Sequence, residues 1–477
     1  MLFNSFDFAV FLPVVYILYW LIFKRNIAFR NIFLLATSYV FYGFWDWRFI
    51  PLIIISSVVD FSLGRQLAKT EDKRKRKIFL ILSLVVNLGI LGFFKYYNFF
   101  VDSFISTFTL FGKPFNYTPL HIILPVGISF YTFQSLSYII DIYYRRFEPT
   151  DKIINFGAFV AFFPQLVAGP IERAKNLLPQ FDDKKIFDYD ATRSGLLLIT
   201  FGLFKKIVIA DRLAVFVDGV YGDIAMASGT ALLFAVFFFA FQLYFDFSAY
   251  SDIAIGTARI LGFRISANFR RPYLSASFSE FWTRWHITLS SWFRDYVYIP
   301  LGGNRRGKAK TTVNVLIVFA LSGLWHGASW NFVIWGMINA LLMIVLDRCF
   351  QLGKSGGLKR IVSPVLVFAC WALSLVFFRV PIFSDAFSVF QNMGFGEWGT
   401  VYQFGLNVVE FRFILFLLAG MMIYEIAVEK HGERMLQKFY ASNIFFRWSV
   451  YLILILSIIY LGSYGSSNDN SFIYFQF

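Results

Sequence analysis

The fold class is decided by Leu321-Ser322-Gly323-Leu324-Trp325-His326-Gly327, which lies between two apolar runs, Thr312–Leu324 and Ser329–Leu346. Apolar runs of this kind are typical of membrane-spanning helices, and no charged residue occurs in either of them. At ~1.5 Å per residue, His326 would lie roughly 20 Å into a hydrocarbon core that is ~30 Å thick. An ionisable side chain at that depth predicts a functional site.

The composition of the whole chain agrees with a membrane protein. Of its 477 residues, 58% are hydrophobic and 15% are charged, whereas soluble globular proteins carry roughly 25% charged residues. Apolar runs recur along the full length, beginning with Phe6–Phe23, which lacks the basic start and cleavage site of a signal peptide. We therefore predict an all-α, polytopic protein with about 11 to 13 transmembrane helices plus re-entrant and interfacial helices. Phe156–Pro170 is predicted to be one of the re-entrant or interfacial pieces.

The net charge of +15 comes from Lys and Arg residues in short loops between the apolar runs. These basic clusters, for example Lys69–Lys77 and Arg264–Lys310, follow an odd number of crossings, so the N-terminus is predicted outside and the basic loops in the cytoplasm. The charge is explained by this topology, and no nucleic-acid partner is expected. Residues 1–477 are predicted to form a single membrane domain, with a motif-rich core at about 120–350 and C-terminal helices at 351–477.

His326 allows two interpretations. In one, it is a neutral histidine that hydrogen-bonds between helices. In the other, it is a general base in a buried cavity, because the pKa of imidazole lies closest to neutrality and burial favours its neutral form. Gly323 and Gly327 flank it closely, and we expect their lack of side chains to let a substrate approach.

A second histidine, His286, lies in the long loop Arg264–Lys310, which interleaves aromatic residues with Arg284, Arg294 and Asp295. Such a segment either lies in the membrane interface as an amphipathic helix or folds back into the protein. In the second case, His286 belongs to the polar wall of the cavity that holds His326, where it orients a substrate or the other imidazole.

Other polar groups give weaker signals. Asp246 and Asp252 could line a cavity or cap helices, while Lys205 and Lys206 could bind an anionic donor or extend to the interface. No P-loop, GxSxG or HExxH pattern is present. With four separated histidines and two cysteines, neither a metal site nor a bound cofactor is expected.

Several motifs resemble the membrane-bound O-acyltransferase family, in particular its bacterial alginate O-acetyltransferase-like branch. The motifs are Arg284-Trp285-His286-Ile287-Thr288-Leu289-Ser290-Ser291-Trp292-Phe293-Arg294-Asp295-Tyr296, Gly323-Leu324-Trp325-His326-Gly327-Ala328, Leu124-Pro125-Val126-Gly127 and Gln242-Leu243-Tyr244-Phe245-Asp246-Phe247-Ser248. The similarity covers most of the chain and weakens after about Phe350.

The resemblance implies helices around a central tunnel that reaches a catalytic histidine, here His326, with His286 as the second catalytic residue. Residues of the same motifs become candidates for binding substrate or donor: Arg284, Arg294, Asp295, Trp325, Tyr244 and Asp246. The resemblance further implies that an acyl donor such as acetyl-CoA enters from the cytoplasm and that the acyl group reaches an acceptor outside. A separate periplasmic or membrane-anchored acetyltransferase would serve as the partner protein.

The sequence therefore predicts a multi-pass O-acyltransferase of a bacterial inner membrane, in contact with lipids, that moves an acetyl group toward an extracytoplasmic polysaccharide. Two kinds of alternative stay open. One is D-alanyl, lipid or protein acylation by the same family, and the other is a non-enzymatic transporter or flippase with His326 as a proton relay.

Overall fold

The computed structural model describes residues 1–110, 118–349, 358–396, 398–464 and 472–473. Helices dominate this part of the chain, and no β-strand occurs within it. Seven segments are long and apolar enough to cross a membrane, and two of them, Ile27–Lys69 and Lys73–Thr109, each contain two consecutive helices. The prediction of an all-α polytopic membrane protein is confirmed. The exact number of crossings and the central tunnel stay predictions.

The residues group into two compact units, the first formed by Met1–Gly195 and Ala254–Ser266 and the second by Leu196–Ile253 and Ala267–Phe477. The first eight helices, α1 to α8, belong to the first unit and span Phe6–Leu21, Ile27–Asp46, Ile50–Lys69, Lys73–Leu91, Tyr97–Leu110, Ile128–Tyr143, Ile153–Ala161 and Ala174–Leu177. The next three, α9 to α11, span Tyr189–Leu203, Asp211–Gly222 and Gly229–Ile260. One unit boundary falls within α9, one within α11 and one between Ser266 and Ala267. The prediction of a single domain stays a prediction.

The remaining helices belong to the second unit. They are α12 to α19, which span Phe278–Arg284, Ile287–Phe293, Gly307–His326, Trp330–Leu342, Leu358–Arg379, Phe383–Asn392, Val408–Ala441 and Ile444–Leu461. Their starts follow ordinary capping chemistry. The Ser329 hydroxyl accepts from the backbone N–H of Asn331 at the start of α15, and Asn407 forms a capping box with Glu410 at the start of α18.

The predicted re-entrant segment is short and deeply buried in the first unit. Helix α7 ends at Ala161, and residues 155–174 are buried without interruption. Non-helical backbone at membrane depth is tolerated where protein surrounds it, because its polar groups can then find partners. The Gln134 side chain provides one such partner, since its amide donates to the carbonyl oxygen of Phe159 over 2.6 Å.

Helices α14 and α15 form a tight antiparallel pair in the second unit, and glycines permit the close approach. A Cβ atom on Gly323 would lie 2.1 Å from the carbonyl oxygen of Phe332, and one on Gly336 would lie 2.2 Å from that of Phe319. Any side chain at either position would push the two backbones apart. This packing fixes His326, the last residue of α14.

Candidate functional site

His326 lies in an aromatic pocket of the second unit. Only 5% of its surface is exposed. Its ring packs edge-on against Trp335, with ring centroids 5.2 Å apart, and against Phe378 at 5.6 Å. His326 is the last residue of α14, and the C-terminal end of a helix carries partial negative charge.

His286 occupies the junction between α12 and α13 and is 1% exposed. Its backbone is left-handed, with φ 42°, a conformation that a non-glycine residue keeps only when its surroundings enforce it. The enforcing contacts come from Asn268, whose carbonyl oxygen accepts the backbone N–H of Ile287 over 2.8 Å. The side-chain oxygen Oδ1 of Asn268 lies 3.2 Å from Nδ1 of His286.

The two imidazole rings share a neighbour. The ring of Trp325 lies 5.9 Å from that of His286 and 5.0 Å from that of His326, measured between centroids. Both contacts are close to edge-on. The structure thus brings the two histidines, which come from separate motifs, into contact with the same tryptophan within the second unit.

The contact with Asn268 fixes the chemistry of His286. Because Oδ1 of Asn268 is an acceptor, Nδ1 of His286 must donate, which leaves the lone pair of the neutral ring on Nε2. His286 lies outside the seven apolar spans, and burial lowers the pKa of its imidazole to about 3. His286 is therefore neutral at physiological pH and suited to accept a hydrogen bond through Nε2.

Aromatic side chains pack around His286. Its ring lies 4.7 Å from Phe247 and 6.4 Å from Phe269, and Phe269 in turn packs edge-on against Trp285. Such a wall excludes water and lowers the local dielectric constant, which strengthens every hydrogen bond made by the enclosed polar groups.

Tyr244 and Asp246, both predicted to bind substrate or donor, are buried on α11 and have partners. The Tyr244 hydroxyl donates to Oε1 of Glu425. Asp246 lies 2.7 Å from Nζ of Lys206 through Oδ1, and its Oδ2 accepts the backbone N–H of Ile473 over 2.7 Å. These contacts favour structural roles, and substrate binding by either residue stays a prediction.

Lys205 and Lys206 lie in the π-helical turn Phe204–Ala210, and both are buried. Nζ of Lys205 lies 2.7 Å from Asp252, and Nζ of Lys206 lies 2.8 Å from Asp211. Both ammonium groups therefore sit in buried ion pairs, and the alternative in which they extend to the interface is wrong. A buried pair of this kind is costly to break, because the partner would be left as an uncompensated charge.

The predicted arginines differ in their surroundings. Arg284 pairs with Glu280 at 2.7 Å and with Glu429 at 3.0 Å. Arg294 begins the π-helical turn Arg294–Tyr298, pairs with Asp295 at 2.8 Å and leaves 63% of its side chain exposed. Arg294 is thus better placed than Arg284 to meet a dissolved anion. Binding of substrate or donor by Arg284, Arg294 or Asp295 stays a prediction.

The expectation that Gly323 and Gly327 make room for a substrate is wrong. A Cβ atom on Gly327 would lie 2.0 Å from the ring of Phe332, and Gly323 contacts the backbone of the same residue. The space that the missing side chains leave is filled by α15. The glycines therefore position His326 by close helix packing.

Sequence reasoning missed three polar residues: Asn268, which contacts His286, Glu425, which bonds Tyr244, and Glu429, which pairs with Arg284. Asn268 gives no signal, since it lies 18 positions before His286 and in an ordinary polar loop. Glu425 does give one, because it interrupts the apolar run Phe411–Val428. As to metals, no group of three or more His, Cys, Asp or Glu side chains within the described ranges is arranged to hold an ion.

Known proteins resemble this chain over most of its length. The profile of MBOAT, the membrane-bound O-acyltransferase family, matches residues 149–375. The chain is 41% identical to the probable alginate O-acetylase AlgI of Pseudomonas aeruginosa, over 83% of this chain and 76% of that protein. It is 34% identical to the peptidoglycan O-acetyltransferase of Helicobacter pylori, over 82% of this chain and 80% of the relative. The chain is 27% identical to the teichoic acid D-alanyltransferase of Bacillus subtilis, over 48% of this chain and 60% of that protein.

Proposed function

Because the chain belongs to the membrane-bound O-acyltransferase family, we propose that it moves an acetyl group from cytoplasmic acetyl-CoA toward an extracytoplasmic polysaccharide, with His326 as general base. The chain is a multi-pass membrane O-acyltransferase. The acetyl group and the polysaccharide acceptor are inferred from the relatives, whose names specify alginate and peptidoglycan O-acetylation. D-alanylation is less favoured, since that relative matches less than half of this chain.

One observation carries the proposal: both histidines contact Trp325 inside a buried aromatic wall. In the proposed step, His326 takes the proton from a hydroxyl of the acceptor or of a carrier of the acyl group, and that oxygen forms a bond to the thioester carbonyl carbon. The carbon–sulfur bond breaks, and the proton from His326 goes to the departing thiolate of CoA. His286 accepts a hydrogen bond through Nε2 and orients the acceptor hydroxyl.

The surroundings support this division of roles. The end of α14 stabilises the positive charge that His326 carries after proton uptake. His286 has the opposite character, because burial holds its pKa at about 3 and keeps it neutral. A neutral, fixed imidazole that shares the neighbour Trp325 with a proton-accepting one separates orientation from proton transfer.

The route and the partners belong to the same proposal. Acetyl-CoA is a polyanion, and Arg294 is the exposed guanidinium nearest in sequence to His286 that can meet its phosphates. We place the N-terminus outside and the protein in a bacterial inner membrane. A separate periplasmic or membrane-anchored acetyltransferase would pass the acetyl group to the polymer.

The test is acetyl transfer from radiolabelled acetyl-CoA by purified protein in lipid vesicles, with release of free CoA followed in parallel. His326→Ala should lower turnover by about 10²- to 10⁴-fold while the protein stays monodisperse. His431→Ala is a matched control, since His431 is exposed on α18, and it should keep wild-type turnover. Near wild-type turnover in His326→Ala would overturn the proposed base.

A further inference from the structure

A carboxylate on α18 bridges the two segments that hold His286. Oε2 of Glu429 lies 2.9 Å from a guanidinium nitrogen of Arg271, and Oε1 lies 3.0 Å from one of Arg284. Each of the three side chains is between 16% and 24% exposed. A single residue of α18 thus ties together two arginines that are 13 positions apart in the sequence.

The two arginines stand at the ends of paired backbone segments. The N–H of Arg270 donates to the carbonyl oxygen of Arg284 over 2.9 Å, and the N–H of Ile287 donates to that of Asn268 over 2.8 Å. His286 lies between these two hydrogen bonds, two residues after Arg284. Whatever fixes Arg271 and Arg284 relative to one another therefore also fixes the backbone of His286.

Both segments carry strained backbone. Arg271 has φ 46° and His286 has φ 42°, and neither is a glycine. This conformation is unfavourable for a non-glycine residue and persists only where neighbouring contacts over-determine it. The ion pairs with Glu429 supply such a contact from outside the loop.

A second residue of α18 acts on the same segment from its aromatic side. Glu425, one helical turn before Glu429, accepts the hydroxyl of Tyr244. The ring of Tyr244 packs against Phe269 at 5.8 Å and against Trp285 at 6.1 Å. Phe269 follows Asn268 in the sequence, and Trp285 precedes His286. Helix α18 lies beyond residues 149–375, which match the family profile.

We propose that Glu429 is a positioning residue for acyl transfer, which holds the imidazole of His286 in place by bridging Arg271 and Arg284. The C-terminal part of the chain thereby becomes part of the working site. This inference rests on the proposed role of His286. It predicts an effect on turnover and not on donor affinity, because Glu429 acts through the orientation of another side chain.

The test compares Glu429→Gln with Glu433→Gln, an exposed glutamate on the same helix, in the vesicle assay. Glu429→Gln should lower kcat by about 10- to 100-fold, because small displacements of a catalytic group cost this much, and should leave the KM for acetyl-CoA within about two-fold. Glu429→Asp, which keeps the charge, should recover part of the loss. Glu433→Gln should match the wild type.

A double variant separates this inference from the function on which it rests. If Glu429 acts through His286, adding Glu429→Gln to His286→Ala should not slow His286→Ala further. Full turnover in His286→Ala would remove the proposed role of His286. Two results would overturn the positioning role alone while His286→Ala is slow. One is a wild-type kcat in Glu429→Gln, and the other is a double variant whose loss is the product of the two single losses.

If Glu429→Gln is not monodisperse, Arg271→Gln breaks the same bridge and should lower kcat in the same direction. An unchanged kcat in Arg271→Gln would overturn the positioning role.

Discussion

Replacing Asn268 by alanine should disable His286 without touching either histidine. Oδ1 of Asn268 accepts from the Thr288 hydroxyl over 2.6 Å, from Nδ1 of His286 over 3.2 Å and from the Thr288 N–H over 3.4 Å. The residue is 1% exposed, so water cannot readily replace the lost acceptor. The imidazole then loses the contact that fixes both its tautomer and its orientation.

The magnitude follows from the donors that are left buried. Each buried donor that loses its acceptor destabilises the protein by roughly 1–3 kcal/mol. Two of the three contacts to Oδ1 are short enough to count fully. We therefore expect Asn268→Ala to lose about 2–6 kcal/mol of stability. The accompanying loss of His286 orientation should reduce kcat by about 10- to 100-fold.

Turnover and thermal unfolding of purified protein measure the two effects separately. Thr288→Val is the matched control, because it removes one hydroxyl donor to Oδ1 and leaves the contact with His286 intact. It should lower stability and keep most of the turnover. Asn268→Asp retains an acceptor at the same position and should recover turnover relative to Asn268→Ala. Wild-type kcat in Asn268→Ala would refute the tautomer argument, whatever the change in stability.

Three further predictions concern packing, donor binding and pH. Gly336→Leu should destabilise the protein and abolish turnover, since a Cβ atom there would lie 2.2 Å from the carbonyl oxygen of Phe319; unchanged thermal unfolding would show that the α14–α15 contact is looser than described. Arg294→Gln should raise the KM for acetyl-CoA, whereas Arg305→Gln combined with Arg306→Gln, both at exposed positions, should change it less; equal KM values in all variants would argue against donor entry on this side. Burial lowers the pKa of His286 from 6.5 to about 3, so the unfolded chain binds a proton that the folded one does not, and stability falls as the pH drops below 6.5. His286→Gln should reduce the slope of Tm against pH in that window, and an identical slope would contradict a neutral His286.

The sequence located both histidines because an ionisable residue among apolar or aromatic neighbours is conspicuous. His326 lies between two apolar runs, and His286 lies among tryptophans and arginines. Their shared neighbour Trp325 adjoins His326 in the sequence, but its contact with His286 arises from tertiary packing. Composition and the recurring apolar runs could predict the membrane fold, because they report on the solvent that each segment meets.

The sequence could not show the contacts between residues that are distant in the chain, because these contacts depend on how the helices and loops pack. Asn268 is an ordinary loop residue until the backbone of Ile287 folds against it. Gly323 and Gly327 are equally suited to a substrate and to a neighbouring helix, and only the position of Phe332 decides between them. Lys206 could bind an anion or extend to the interface until Asp211 and Asp246 are found beside it.

The double-mutant cycle of His286→Ala and His326→Ala tests the shared site most directly, with kcat for acetyl transfer as the measured quantity. If the two imidazoles that contact Trp325 serve one reaction centre, the double variant should be no slower than the slower single variant, within about two-fold. Losses that multiply across the two sites would contradict the account, because they would show that the histidines act in independent steps.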